Sequence, residues 1–277
     1  MRNIINSNDA VVGIVVTVLL IGLAISVAVM IRTTYVPRWV EENEVAHMDE
    51  IKNQFAQLKY ALDIQSIVKQ KTAVSSSITL GTKEIPIFGG GRSFGTLQIL
   101  EDQCNISVHD KTNNKWFFSL GMIEYNSGNS YFVSQNYIYQ GGALILSQPP
   151  DEMLIGKPTF LIIDYTNIYF TIVNITHIEG KDFASGDGTY PIYTEFVSNT
   201  TIPTITNVTY INITTNYPNA WKIVFESVLR KSDNPFSADD VTISGNRVIV
   251  SFPTDRENKL SFDYVKILAQ VSPGWIE

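Results

Sequence analysis

The first apolar segment of the chain is a continuous run. Residues 10–31 contain no charged side chain over 22 positions. As an α-helix this run would be about 33 Å long at about 1.5 Å per residue, and a bilayer hydrocarbon core is about 30 Å thick. A cleaved signal peptide has a shorter apolar region of about 7–15 residues, so the pattern predicts a retained membrane-spanning helix. The positions expected to face lipid or other subunits are Val11, Val12, Gly13, Val16, Leu19, Leu20, Leu23, Val27 and Met30.

The residues that flank this run leave two forms of the helix open. One form is a permanent single-span anchor. The other is a helix that is retained after removal of a short polar leader, residues 1–9, by cleavage beside Asn8 or Asp9. Basic flanking residues tend to remain inside the cell. Arg2 precedes the run while Arg32 and Arg38 follow it, so charge alone does not favour an outward-facing carboxyl end.

A second helix is predicted in residues 32–72, with a break near Pro37 because proline lacks an amide hydrogen and disfavours helix at the preceding residue. After this point, apolar residues recur at alternating spacings of three and four, which is typical of a helix with one packed face. This apolar seam is expected to pack against the protein's own domain, against other subunits, or against both on different faces. Its members are Met48, Ile51, Phe55, Leu58 and Leu62.

Beyond residue 73 the pattern changes to short β-branched and aromatic runs separated by Gly, Asn, Asp or Pro, which indicates antiparallel strands. Gly245 and Asn246 are expected to form a hairpin turn between VTIS and VIVSF. One later helix is predicted from an apolar stripe that includes Trp221, Val224 and Phe225. We therefore expect an α+β fold, in which a long N-terminal membrane and stalk helix precedes a β-rich, sandwich-like extracellular domain spanning residues 73–277.

Composition excludes several classes of protein. The chain has 277 residues, 20 Lys plus Arg and 27 Asp plus Glu, giving a formal charge of −7. An acidic chain without a basic run is poorly suited to bind nucleic acid, so no nucleic-acid partner is expected. The content of 44% hydrophobic and 17% charged residues argues against disorder. A single cysteine, Cys104, excludes an intrachain disulfide.

The sequence offers no recognisable catalytic centre. Its three histidines, His47, His109 and His177, are far apart in the chain, and no nucleophile elbow, zinc-helix motif or phosphate-binding loop occurs. We therefore expect no catalytic residue, no cofactor and no metal site, and a protein that is not an enzyme.

The pattern Asn-x-Ser/Thr marks candidate N-glycosylation sites, which must lie at a surface outside the cell to be modified. The first three of the following sites are in a segment rich in Asn and Thr that has the character of loops or sheet edges. The sites are Asn199, Asn207, Asn212, Asn105 and Asn174.

The N-terminal region resembles archaeal type IV pilins and archaellins, because a polar leader is followed by DAVVG at positions 9–13 at the start of a long apolar helix. The segment VPRWVEENEVAHMDEIKNQFAQLKYALD and the blocks FGTLQI, YIYQGGALILSQ, NAWKIVFESVL and AQVSPGWIE are similar to a group of archaeal pilin-like surface proteins whose function is largely uncharacterised. The resemblance implies an outward-facing domain, processing by a prepilin-type peptidase and helical assembly.

Two hypotheses follow for the function of the chain, beside a third, an ectoenzyme, which needs a carboxylate or His cluster assembled only by the fold. The first is a cell-surface, pilin-like structural protein that is anchored in the cell membrane by one helix, or that assembles through it with copies of itself or other pilin-like subunits. The second is a monomeric, single-span surface module for binding or adhesion that forms no filament. In both, membrane lipid contacts the apolar helix and the bulk of the chain is extracellular.

Overall fold

The structure is a computed structural model that describes residues 7–84, 91–159, 161–164, 166–229 and 240–271, with side chains described from Val12 onward. Most of the predicted leader therefore lies outside the described residues, as do the carboxyl-terminal residues 272–277 of the block AQVSPGWIE.

One long helical rod forms the amino-terminal part. Helix α1 covers Ser7–Met30, a π-helical segment covers Ile31–Tyr35, and helix α2 covers Val36–Val68. The break predicted near Pro37 is not an interruption of the helix. Pro37 lies in the first turn of α2, directly after the π-helical segment, where the wider turn accommodates a residue that cannot donate a backbone hydrogen bond. Lys69 ends the rod in a left-handed conformation with φ of 52°.

The remainder is mostly β-structure with one later helix, so the predicted α+β class is confirmed. Helix α3 covers Pro218–Leu229. The strands in chain order are β1 Val74–Thr79, β2 Phe94–Asp110, β3 Lys115–Gly128, β4 Asn136–Gln140, β5 Ala143–Gln148, β6 Asp151–Gly156, β7 Leu161–Asp164, β8 Asn167–His177, β9 Phe183–Gly186, β10 Thr189–Ile205, β11 Val208–Thr214, β12 Val241–Ser244, β13 Arg247–Ser251 and β14 Lys259–Val271.

In the described residues these strands form two sheets. The first sheet has the order β1-β10-β14-β8-β7, and the second has the order β12-β13-β11-β2-β3-β4-β5-β6, with β9 paired to β2. Neighbouring strands are antiparallel except β8 and β14, which run parallel. The hairpin predicted at Gly245 and Asn246 is confirmed, because β12 pairs with β13 across this turn.

The two sheets pack against each other through β3 of the second sheet and strands β8 and β14 of the first. The rings of Phe118 and Phe262 stack with centroids 4.3 Å apart. The Tyr264 hydroxyl donates a hydrogen bond of 3.0 Å to the Ser119 carbonyl. At Gly121 the strands are so close that a Cβ would lie 2.0 Å from the Ile175 carbonyl oxygen, so only glycine fits there.

Two apolar clusters form the core, one beneath α2 and the other beneath α3. Strand β2 contributes to both, because its two faces contact different clusters, and a bulge interrupts its pairing with β3 between Leu100 and Cys104. Before the bulge Leu97 and Ile99 join the cluster under α2, and after it Cys104 and Ile106 join the cluster under α3. Side chains alternate between the faces of a strand, so the odd positions face the cluster under α2 and the even positions face the cluster under α3, where Leu100 also packs.

Candidate functional site

Helix α1 has no packing partner in the part of the chain that the structure describes. Its span from Val12 is apolar and long enough to cross a membrane, and none of its most apolar window is buried. Large side chains on all its faces are about half to two-thirds exposed, from 48% at Val16 to 67% at Leu19. Soluble monomers rarely expose a continuous apolar surface of this extent. The other predicted positions with comparable exposure are Val12, Leu20, Leu23, Val27 and Met30.

Two further positions of the predicted surface lie on the same helix. Gly13 has no atom within 4 Å of the place where a Cβ would stand, and Val11 lies within the backbone of α1. The predicted cleavage positions Asn8 and Asp9 belong to the first turns of α1.

The hydroxyl groups along this helix are bonded within it. Thr17 donates to the Gly13 carbonyl at 2.8 Å, Ser26 to the Leu23 carbonyl at 2.8 Å, and Thr33 to a carbonyl one turn earlier at 2.9 Å. A polar group in hydrocarbon must find its partner inside the protein. These hydroxyls therefore suit a lipid environment as well as a packed helical bundle.

Polar and aromatic residues lie at the end of the apolar run. Arg32 is in the π-helical segment. The rings of Tyr35 and Trp39 follow with centroids 6.1 Å apart, and both side chains are exposed. Tyr and Trp are enriched at membrane interfaces, where an amphipathic ring contacts both headgroups and apolar chains.

The β-rich domain begins to cover the rod at Val40, which is 1% exposed. This position is nine residues beyond Ile31, or about 14 Å along a helix. Gly91 lies against Val40 with φ of +87°, and a Cβ at Gly91 would be only 2.1 Å from Val40 Cγ2. The domain is therefore held close to the end of the apolar run.

Glu44 joins the rod to the loop between β3 and β4. Its carboxylate is fully buried and accepts backbone hydrogen bonds from Ser130 at 2.7 Å, Tyr131 at 2.9 Å and Phe132 at 2.7 Å. Three backbone donors directed at one carboxylate form charge-assisted bonds, which are stronger than neutral ones. We call Glu44 and these three amides the Glu44 clamp.

One turn further along α2, His47 takes part in a buried polar chain. Its Nε2 lies 3.2 Å from the Tyr125 hydroxyl, which donates to the Leu80 carbonyl at 2.9 Å. Because Tyr125 uses its proton on Leu80, the histidine nitrogen is the donor between the two rings. Burial lowers the pKa of His47 and raises the pKa of Tyr125, so both rings are neutral and structural.

The five residues of the apolar seam are all buried in the protein's own domain. Each of them is at most 2% exposed, and they belong to the cluster beneath α2. Phe55, for example, lies 5.9 Å from the ring of Tyr137. Of the two alternatives for this face, packing on the protein's own sheets is therefore the one observed. The residues are Met48, Ile51, Phe55, Leu58 and Leu62.

The opposite face of α2 remains exposed near its carboxyl end. Tyr60, Ile64, Ile67 and Val68 are between 38% and 68% exposed, and their spacing places them on one side of the helix. This face is available to other molecules.

The candidate glycosylation sites differ in their surroundings. Asn174 has both amide atoms engaged between the sheets, because Oδ1 accepts from the Gly121 amide at 2.8 Å and Nδ2 donates to Tyr264 at 2.6 Å. Its side chain bridges the two sheets. Asn207 instead lies in the turn between β10 and β11, with φ of +56°.

The remaining three motifs lie on strands. Asn105 pairs with Thr214 and Asn212 with Ser107 across β2 and β11, so the two motifs face each other in register. On β10, Asn199 donates to the hydroxyl of Thr201, the third residue of its own motif, at 3.2 Å.

The other titratable groups do not converge. His109 stacks on Tyr210 with ring centroids 4.1 Å apart, while the backbone amide of His177 donates to Glu101 at 2.9 Å. Cys104 is buried, which raises the pKa of its thiol. Within the described ranges, no group of three His, Cys, Asp or Glu side chains is placed to hold a metal ion.

No known family model, curated protein or solved structure matches this chain. The class of molecule is therefore defined by the structure alone: a β-rich domain on a long N-terminal helix whose first part is apolar and exposed.

Sequence reasoning missed the Glu44 clamp, although a signal was present. Glu44 precedes Met48 by four residues and continues the spacing of the apolar seam. A carboxylate on a buried helix face requires hydrogen-bond donors. The neighbouring acids Glu41 and Glu42 are both exposed, so position on the helix, rather than residue type, distinguishes the three.

Proposed function

We propose that this protein is a pilin-like structural protein of the cell surface, inserted in the membrane through α1 with its β-rich domain outside the cell. The observation that carries the proposal is the exposed apolar surface of α1 on a helix that continues into the domain. The resemblance of the N-terminal sequence to archaeal pilins and archaellins supports the same function.

In an assembled form, α1 would leave lipid and pack against the equivalent helices of other subunits. Lipid tails are as apolar as a neighbouring helix, so this transfer gains packing rather than burial from water. Assembly would therefore depend on ancillary machinery as well as on a prepilin-type peptidase that removes the leader. The Glu44 clamp and the apolar seam would fix the domain to the helix during this transfer.

The proposed outward orientation of the β-rich domain is supported by the candidate glycosylation motifs. The chain carries five Asn-x-Ser/Thr motifs, and Asn207 lies in a turn between strands. Proteolysis of intact cells tests it directly, because an outward-facing domain is cleaved without lysis.

The anchoring experiment compares two lysine substitutions in the native host. Leu20→Lys places a charge near the middle of α1, which costs about 2.5–3.5 kcal/mol in a membrane helix. Tyr60→Lys is the matched control on the exposed face of α2. We expect the wild type and the control to resist alkaline carbonate extraction, and Leu20→Lys to be partly released. A wild type that is released by carbonate to the same extent as Leu20→Lys would overturn membrane insertion.

Filament assembly requires a separate measurement. N-terminal sequencing of the native protein, with electron microscopy of sheared cell fractions, is expected to show a start near Asn8 or Asp9 and filaments that contain this chain. An intact Met1 and no filaments would overturn the pilin-like function and leave the alternative, a monomeric anchored binding module. The open groove described below favours a binding role of that kind.

A further inference from the structure

A groove of about 830 Å³ runs between α2 and β1 on the surface of the domain. Asp49, Asn53 and Gln57 line its helical wall, and residues 74–77 of β1 line the other. Most of the residues that line it are of polar types, and Ser75 and Ser77 are exposed. The groove is thus an open channel beside a strand rather than a gap in the apolar core.

Strand β1 is an edge strand whose neighbour in the described residues is β10. The Leu80 amide donates to Gly188 on the β10 side at 2.8 Å, whereas the Thr79 amide donates toward α2, to Gln54 Oε1, at 2.8 Å. Because backbone groups alternate in direction along an antiparallel strand, Ser77 and Ser75 also direct their N–H and C=O groups toward α2. These groups form the wall of the groove.

Gln54 shows that this edge accepts a partner. Its side-chain amide is bonded to Thr79 in two ways, since Oε1 accepts from the backbone amide and Nε2 donates to the hydroxyl at 3.1 Å. The amide group of a peptide backbone offers the same donor and acceptor. Within the described part of the chain, no side chain bonds to the backbone of Ser77 and Ser75 as Gln54 bonds to Thr79. An extended polypeptide backbone could make the same kind of hydrogen bonds at these two residues.

The charge of the groove selects the kind of segment that fits. Asp49 and Glu50 project from the helical wall, and none of the residues lining the groove is basic. An added strand lies about 4.8 Å from β1, which places its outward side chains beside that acidic wall. A basic side chain on the added strand is therefore complementary to the groove.

We propose that the groove binds an extended polypeptide segment, which adds as a strand to β1 and places a lysine or arginine beside Asp49 and Glu50. Backbone bonds to Ser75 and Ser77 supply affinity, and the acidic wall supplies selectivity, as in other cases of strand addition. This binding does not depend on whether α1 assembles into a filament.

The test uses the full chain in detergent micelles and a fluorescein-labelled peptide of alternating valine and threonine with one central lysine. We expect saturable binding by fluorescence anisotropy with a Kd below about 1 mM. Amide hydrogen exchange of Ser75 and Ser77 should slow when the peptide binds. A second peptide with glutamine in place of lysine should bind about two- to fivefold more weakly, as for an exposed ion pair.

The matched variants are Ser77→Pro and Ser77→Ala. Proline removes an N–H that faces the groove and not β10, a position that edge strands tolerate, while alanine keeps this donor. Loss of the hydrogen bond from the backbone N–H at position 77 to the peptide should raise the Kd of Ser77→Pro for the peptide by about tenfold. The Kd of Ser77→Ala should equal that of the wild type. Ser75→Pro provides a second test if Ser77→Pro lowers the melting temperature. No saturable binding up to about 1 mM, or equal binding to the proline and alanine variants, would overturn the proposal.

Discussion

The Glu44 clamp makes a specific prediction about how the β-rich domain is held to helix α2. In the clamp, Oε1 accepts from the Ser130 amide and Oε2 accepts from the amides of Tyr131 and Phe132. Glu44→Gln keeps the shape of the side chain and one oxygen. Turned toward Tyr131 and Phe132, that oxygen keeps two bonds in weaker, neutral form, while the new NH₂ group faces the Ser130 donor.

The expected cost follows from these three bonds. An unsatisfied buried donor costs about 1–3 kcal/mol, and each of the other two bonds loses about 1 kcal/mol when its acceptor becomes neutral. The total is about 3–5 kcal/mol. For a domain of this size, each kcal/mol lowers Tm by about 2–4 °C, so Glu44→Gln should lower Tm by about 6–20 °C.

The assay is thermal unfolding of the full chain in detergent, with hydrogen exchange of residues 130–132 as a local measurement. Glu42→Gln is the matched control, because Glu42 is an exposed acid on the same helix, and surface substitutions change stability by at most about 0.5 kcal/mol. If Glu44→Gln and Glu42→Gln have the same Tm, and the three loop amides exchange at wild-type rates in both, the carboxylate does not hold the loop.

Three further predictions concern buried or strained positions. The wild type should lose stability below about pH 6.5, because burial lowers the pKa of His47 and the unfolded chain then takes up a proton that the folded chain does not. In a Tm profile measured from pH 8 to 5, His47→Gln should therefore show a weaker dependence on pH than the wild type. The same profile for both proteins would refute this cause. Gln140→Leu should lower the free energy of unfolding in urea by about 1–3 kcal/mol, since Gln140 Oε1 accepts from the buried Trp221 indole at 2.9 Å. Wild-type stability of this variant would contradict that role. Gly91→Ala should cost at least about 1 kcal/mol, owing to its positive φ and its contact with Val40, and a Tm equal to wild type would show that the contact relaxes freely.

The N-terminal rod shows which features of the fold the local sequence pattern can predict. The length of the apolar run and the spacing of Met48, Ile51 and Phe55 predict one spanning helix and one packed helix face, and both helices are observed. Hydrophobic periodicity depends on near neighbours in the chain, which is why these features can be predicted without a fold. The same pattern left open which surface the seam meets, and the structure places it on the protein's own sheets.

The sheets show which features of the fold the local sequence pattern cannot predict. Short β-branched and aromatic runs predicted a β-rich domain and the β12–β13 hairpin, because both depend on neighbouring residues. They did not predict that β8 and β14, about ninety residues apart, pair in parallel. A strand's partner is chosen by contacts between distant segments, and local alternation does not indicate where a bulge such as that of β2 interrupts the pairing.

The sequence by itself thus determined that the chain has an apolar helix long enough to span a bilayer, a packed helix and a β-rich domain. Only the tertiary structure decided that Glu44 is a buried clamp while Glu42 is exposed, that Asn174 bridges two sheets, and that Ser75 and Ser77 face a groove. The physical reason is that burial, hydrogen-bond partners and free strand edges are properties of segments brought together from different parts of the chain, which the order of residues within one segment does not contain.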